Sequence, residues 1–136
     1  MKIIFISLIC IVFFSAADCR KKVSDNCHYY FTIKNNSSDT IIVAMKWTNN
    51  SMCNLEGDKT LPDSNFYLSS GRDCWEDYLT YKNDKTQEVF IVDPKNYNNP
   101  QVFYDCDSIP IKNKIFKKYS LTIDSLRKYN FHIVYQ

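Results

Sequence analysis

Six cysteines are the most reactive residues in this chain of 136. Cys10 lies inside an N-terminal apolar run and leaves with it. Cys27, Cys53, Cys74 and Cys106 form an even set, and no two of them stand in a C-x-x-C spacing, so disulfides are expected rather than a metal cage or a redox dithiol. Four cysteines permit three pairings. Cys53 and Cys74 flank one polar excursion that a bond would clip shut, so the favoured pairing is Cys53 with Cys74 and Cys27 with Cys106. Each closure contributes about 2–4 kcal/mol. A cysteine held in a disulfide is no nucleophile, which removes a Cys–His protease dyad.

The other chemistry-bearing residues do not converge. His28 and His132 each fall on a predicted strand near one end of the chain. If those strands pair, the imidazoles could approach, but a metal would need a third ligand, and Asp105 or Asp107 is the only suggestion. No metal and no cofactor is expected. Glu76, Asp77, Asp84, Glu88 and Asp93 are scattered over a predicted helix, loop and strand. Glycoside hydrolysis needs two carboxylates about 5 Å or about 6.5–9.5 Å apart, and this scatter fixes no such pair. No Gly-x-Ser-x-Gly elbow occurs. The expectation is a non-enzymatic protein. Tyr29, Tyr30, Trp47, Tyr67, Trp75, Tyr78, Tyr81, Tyr97 and Tyr104 form a dense aromatic set. In a small domain with so little Ala most of them must fill the core. Tyr97 and Tyr104, placed among Asn and Pro, are the expected exposed pair on which a glycan could stack.

The elements that hold these residues begin after a targeting segment. Met1 and Lys2 give a positive start, Ile3 to Phe14 is apolar but for Ser7, and Ser15, Ala16 and Ala17 are small. About twelve apolar residues suit a signal peptide and are too few for a span of ~20. Residues 1–18 are therefore read as a signal peptide and 19–136 as one disulfide-stapled β-rich domain. Two processing routes fit. Cleavage after Ala17 leaves Cys19 a thiol, whereas lipoprotein processing makes Cys19 the lipid-bearing first residue and leaves the even cysteine set. The cysteine count favours lipidation of Cys19, although Asp18 and Ala16 make a poor lipobox. With 17 basic and 15 acidic side chains intermixed, the chain shows no nucleic-acid footprint.

Alternation predicts strands at Tyr29–Lys34 and Ile41–Trp47, read as a hairpin around the turn-rich residues 35–39. Thr48–Ser64 is polar and reads as a loop, and Asn65–Ser69 as a short strand. Trp75, Tyr78 and Leu79 have helical spacing within 70–81 behind acidic residues that suit a helix start. Glu88–Val92 reads as a buried strand ended by Asp93-Pro94, and residues 95–113 give little signal. Ile115–Leu121 is a strand, Thr122 caps a short helix through Tyr129 with Asn130 closing it, and Phe131–Tyr135 is a final strand. The fold class is mainly β, sandwich-like, with about six strands and one or two short helices; α+β is the alternative.

Four stretches resemble a family of small exported lipoproteins from Gram-negative gut bacteria. They are Thr32-Ile33-Lys34-Asn35-Asn36-Ser37 leading to Ile41; Cys74-Trp75-Glu76-Asp77; Val89-Phe90-Ile91-Val92-Asp93; and residues 117–130, Lys-Lys-Tyr-Ser-Leu-Thr-Ile-Asp-Ser-Leu-Arg-Lys-Tyr-Asn. The last is the most specific, because that family ends in a strand, a capped helix of the L-T-x-x-x-L-x-x-x-N kind and a terminal strand. Phe131 stands where the family usually has Trp, and Tyr135-Gln136 replaces a Tyr-Pro ending. The resemblance implies location and architecture only, an exported protein of the outer membrane or periplasm with this β-rich fold; the expected partners are the membrane, through an N-terminal lipid, and an envelope protein or a glycan. The resemblance implies no catalytic residue.

Overall fold

A computed structural model describes residues 26–49, 51–82, 85–97 and 103–136. The signal segment, Cys19 and Asp84 lie outside the described residues. The described chain is mainly β, with one sheet of three strands and one of five.

The larger sheet is built around two strands that are apolar on both faces. In β2 (Ile41–Asn49), Ile41 and Val43 point into one hydrophobic cluster while Ile42 and Ala44 point into another. In β5 (Gln87–Val92), Val89 and Ile91 face the first and Phe90 and Val92 the second. A strand buried on both sides reads as a continuous apolar run, which is what 89–92 shows. These two strands pair antiparallel, Ile42 opposite Val92 and Ala44 opposite Phe90. Strand β3 (Met52–Thr60) flanks β2 and β7 (Ile115–Leu121) flanks β5, while the two-residue β6 (Tyr104–Asp105) extends the sheet beyond β3.

The smaller sheet has β1 (Tyr30–Asn35) in its middle, antiparallel to β4 (Asn65–Ser69) and parallel to β8 (His132–Tyr135). Phe31 and Ile33 are fully buried and face the larger sheet across the main core. Helices α1 (Trp75–Tyr81) and α3 (Ile123–Lys128) contact each other and feed the same core with Trp75, Leu79 and Leu126. The Trp75 indole stays satisfied there because its N–H donates to the Leu68 carbonyl at 3.1 Å. The second cluster is covered by the crossing from β5 to β7, which carries a 3-10 turn at Pro94–Asn96, another at Cys106–Ser108 and a one-turn helix α2 (Ile109–Lys112).

Three expectations are corrected. The β1–β2 hairpin does not form, because the two strands belong to different sheets. Asn35, fully buried, turns the chain between them: its amide donates to the Asp39 and Thr60 carbonyls at 2.7 and 3.1 Å and its oxygen accepts from Ser37 N–H and Oγ. The predicted loop at 48–64 contains β3, paired with β2 along its whole length. Its polar composition reflects a strand whose inward residues are mainly Cys53 and Leu55 while Met52, Glu56, Asp58 and Lys59 are exposed. With β3 and β6 the strands number eight instead of about six.

Both glycines are positional. A Cβ on Gly57 would sit 2.0 Å from the Val43 carbonyl oxygen on β2, so this β2–β3 contact has no room for a side chain. Gly71 has φ +98°, a conformation that costs other residues strain.

The strand, capped helix and final strand predicted from Ile115 to Tyr135 match the structure closely. Thr122 accepts from Ser125 N–H at 3.2 Å while the Ser125 hydroxyl accepts from Thr122 N–H at 2.8 Å, a reciprocal capping box. Asn130 and Phe131 both have positive φ, 49° and 55°, and this turn returns the chain as β8.

Candidate functional site

Alternation on the smaller sheet separates a buried face from an open one. Because Phe31, Ile33, Leu68 and Ile133 are buried, Tyr30, Thr32 and Lys34 of β1, Asn65, Tyr67 and Ser69 of β4, and His132 and Val134 of β8 share the outer face. The register sets them in rows: Tyr67, Thr32 and His132 lie across one, and Asn65, Lys34 and Val134 across the next. Adjacent strands are about 4.8 Å apart, so each row spans roughly 10 Å. Tyr67 and Tyr30 are 62% and 58% exposed. Thr32 Oγ1 and His132 Nδ1 are 2.6 Å apart, which fixes the imidazole on the surface. The result is a mixed aromatic and polar face.

One end of this face adjoins a cluster gathered by the N-terminal segment. His28 O accepts from Trp75 N–H at 2.9 Å, and His28 N–H donates to Glu76 Oε2 at 3.0 Å. His28 Nδ1 lies 2.6 Å from Glu76 Oε1, and its ring stacks on Phe131 with centroids 3.7 Å apart. Burial disfavours the Glu76 carboxylate, but the two hydrogen bonds from His28 outweigh it and hold the group below the usual range. Cys27 and Cys74 meet beside this pair. Burial first, then the hydrogen bond with Cys27, pushes the Cys74 thiol up to about 11.

The sequence-predicted site residues are placed as follows. The cysteines are not paired as expected: Cys53 is bonded to Cys106. The reason is register, because β6 pairs with β3 and sets Tyr104 opposite Cys53, with Cys106 just beyond. Cys74 instead precedes α1, where Cys27 is its neighbour. Tyr97 and Tyr104 do not stand exposed as a glycan platform; both pack against the second cluster. The Tyr97 hydroxyl donates to the Leu55 carbonyl at 2.9 Å, and burial pushes it up to about 12. The Tyr104 hydroxyl accepts from Asn113 Nδ2 at 3.1 Å.

His28 precedes β1 rather than lying on it. β1 and β8 do pair, yet the two imidazoles have separate partners, Glu76 and Thr32. Asp105 and Asp107 are at the far sheet, and among the described residues no group of three His, Cys, Asp or Glu could hold a metal. The carboxylates are engaged one by one: Glu76 by His28, Glu88 by Lys46 and Lys118, and Asp93 by Lys95 N–H and Lys114.

Two open grooves complete the surface. One of about 370 Å³ runs along Glu88, Lys46, Lys118 and Phe90 to Ile109, and one of about 490 Å³ lies between Asp39, Lys59, Asp93 and Phe116. In the first, Lys46 and Lys118 both pair with Glu88, whereas the outer-face tyrosines of the smaller sheet touch solvent. Sequence reasoning missed this face, although the alternation of Tyr30, Thr32 and Lys34 with Phe31 and Ile33 carried it. Among the described residues, no helix is long and apolar enough to cross a membrane. No family model, curated protein or solved structure matches the chain.

Proposed function

We propose that this chain is a non-enzymatic envelope protein, exported and held at the outer membrane or in the periplasm by lipid on Cys19, that works by binding through the outer face of its smaller sheet. The observation that carries the reading is the pairing of two well-exposed tyrosines, Tyr30 and Tyr67, with Thr32, Lys34 and His132 on one face. Exposed aromatics among polar groups on a preformed surface supply contact area at low entropic cost. The Cys53–Cys106 bond supports an oxidising compartment. The binding partner in this reading is another envelope protein.

A second reading, a small carbohydrate-binding module, is favoured by one feature: Tyr67 ends the row that carries Thr32 and His132 and Tyr30 stands in the next row along β1, so a sugar ring could stack on one tyrosine and bond to Thr32 or His132. Tyr97 and Tyr104, packed inside, have no part in it. Titrating the isotopically labelled domain with envelope oligosaccharides in one series and solubilised envelope proteins in another separates the two. Resonance shifts centred on Tyr30, Thr32, Tyr67 and His132 are expected in the protein series. Shifts confined to the oligosaccharide series transfer the face to the second reading, and shifts centred on the larger sheet overturn both. Intact mass of the native protein tests the anchor, since a diacylglyceryl group on Cys19 is expected.

A further inference from the structure

We infer that Cys27 and Cys74 are a second, oxidisable thiol pair that closes into a disulfide in the compartment where Cys53 and Cys106 are joined. The inference stands on geometry. Cys27 immediately precedes His28 and Cys74 immediately precedes Trp75, and those two residues are joined by a backbone hydrogen bond at 2.9 Å; the Cys27 side chain is near enough to help raise the Cys74 thiol. The backbone next to them is clamped, since His28 O accepts from Trp75 N–H and His28 N–H donates to Glu76 Oε2, so the residues flanking both cysteines are held across the same gap. The remaining two cysteines of the mature even set are already bonded to each other, so no alternative partner competes among the described residues.

The surroundings also fix the order of events. Cys74 is 5% exposed and Cys27 is partly exposed. The thiolate is the attacking form, and the raised Cys74 thiol is a poor source of it. Cys27 therefore attacks first, on one sulfur of an oxidant of the disulfide class, either a dithiol oxidase or oxidised glutathione. That attack forms a mixed disulfide and releases the oxidant's first thiol with the Cys27 proton. Cys74 then attacks Cys27 Sγ, and the second thiol leaves with the Cys74 proton. Two electrons pass to the oxidant and one S–S bond replaces another. The product ties the segment that enters β1 to the start of α1, one residue before the core tryptophan Trp75.

The test is a non-reducing peptide map with intact mass, run on the full chain refolded in a mixture of reduced and oxidised glutathione. A Cys27–Cys74 peptide beside the Cys53–Cys106 peptide is expected, with the mass lower by two hydrogens for each bond. Complete alkylation of both Cys27 and Cys74 under denaturing conditions, with Cys53–Cys106 intact, overturns the inference. So does a map in which either residue is joined to Cys19. Cys27→Ser in the same buffer should leave Cys74 as a thiol that resists maleimide until the protein is denatured. If Cys74 in that variant labels as fast as a free peptide thiol while the circular dichroism is unchanged, the packed pair does not exist. The wild-type map decides the matter if the variant does not fold.

Discussion

The two sheets share one core but use their faces differently. The larger buries both in its middle, one against the smaller sheet and one under the crossing that carries α2, so the consecutive residues Ile41–Ala44 of β2 and Val89–Val92 of β5 are all committed to packing. The smaller buries one face only, and its middle strand alternates buried Phe31 and Ile33 with solvent-facing Tyr30, Thr32 and Lys34. Stability is thus concentrated in the larger sheet and the shared core, and the outer face of the smaller sheet carries side chains that the core does not need.

Substitutions of neighbouring residues break or sharpen that contrast. On β1, Phe31→Ala should cost about 4 kcal/mol, by lost burial and a cavity, whereas Thr32→Ala should cost no more than about 0.5 kcal/mol, as surface changes do. On β2, Ile41→Ala and Ile42→Ala should each cost about 3 kcal/mol although they point to opposite faces. Chemical denaturation of the four variants measures this directly. If Ile42→Ala is as mild as Thr32→Ala, the second cluster is not a real core.

A smaller effect belongs to the unit joining the sheets. Thr122→Ala should lower stability by about 1 kcal/mol through the lost cap of α3. Because α3 sets the turn into β8, amide exchange should rise first in β8 and in its partner β1. Unchanged protection there would mean that β8 docks without help from the helix.

The smallest effect is electrostatic and concerns the edge of the larger sheet. Burial opposes ionisation of Glu88, but the hydrogen bonds from Lys118 and Lys46 prevail and lower its pKa. A carboxylate lowered on folding stabilises the fold above its unfolded value, and that contribution is lost as pH falls through the folded value. Wild type and Glu88→Gln should therefore differ in melting temperature at neutral pH and converge in acid, below the ordinary carboxylate range. A gap that widens in acid would reverse the sign and rule out the ion pairs as its source.

Local patterns were legible and long-range partners were not. β4 and the capped unit from Thr122 to Asn130 are readable because each rests on neighbours in sequence: alternation in the strand, a Thr at the cap position, an Asn that accepts positive φ. β5 was readable from its unbroken apolar run. β3 was hidden because only Cys53 and Leu55 of its residues join a hydrophobic cluster, and Gly57, which looks like a turn signal, is there for close approach to β2. The turn-rich stretch 35–39 looked like a hairpin because nothing in it reveals that Asn35 bonds to Thr60 far along the chain. The cysteine pairing failed for the same reason: proximity in sequence favoured Cys53 with Cys74, but the β3–β6 register put Cys106 beside Cys53. Tyr97 and Tyr104 were placed outside because their Asn-rich surroundings look like surface, while their rings complete the second core.

The parallel pairing of β1 with β8 has a consequence for the timing of folding. β1 is the first described strand and β8 the last, and they are joined by the Thr32 N–H to Phe131 carbonyl bond at 2.9 Å and the Asn36 N–H to Tyr135 carbonyl bond at 2.8 Å. A chain delivered N-terminus first, from a ribosome or a translocation pore, presents β1 early and must wait for almost all of the remaining sequence before that side of the strand is paired. Contacts of such separation form slowly. The antiparallel ladders β2–β3 and β2–β5 join strands closer in sequence and can assemble first, so the smaller sheet closes as the final act and keeps the chain threadable until its last strand has emerged.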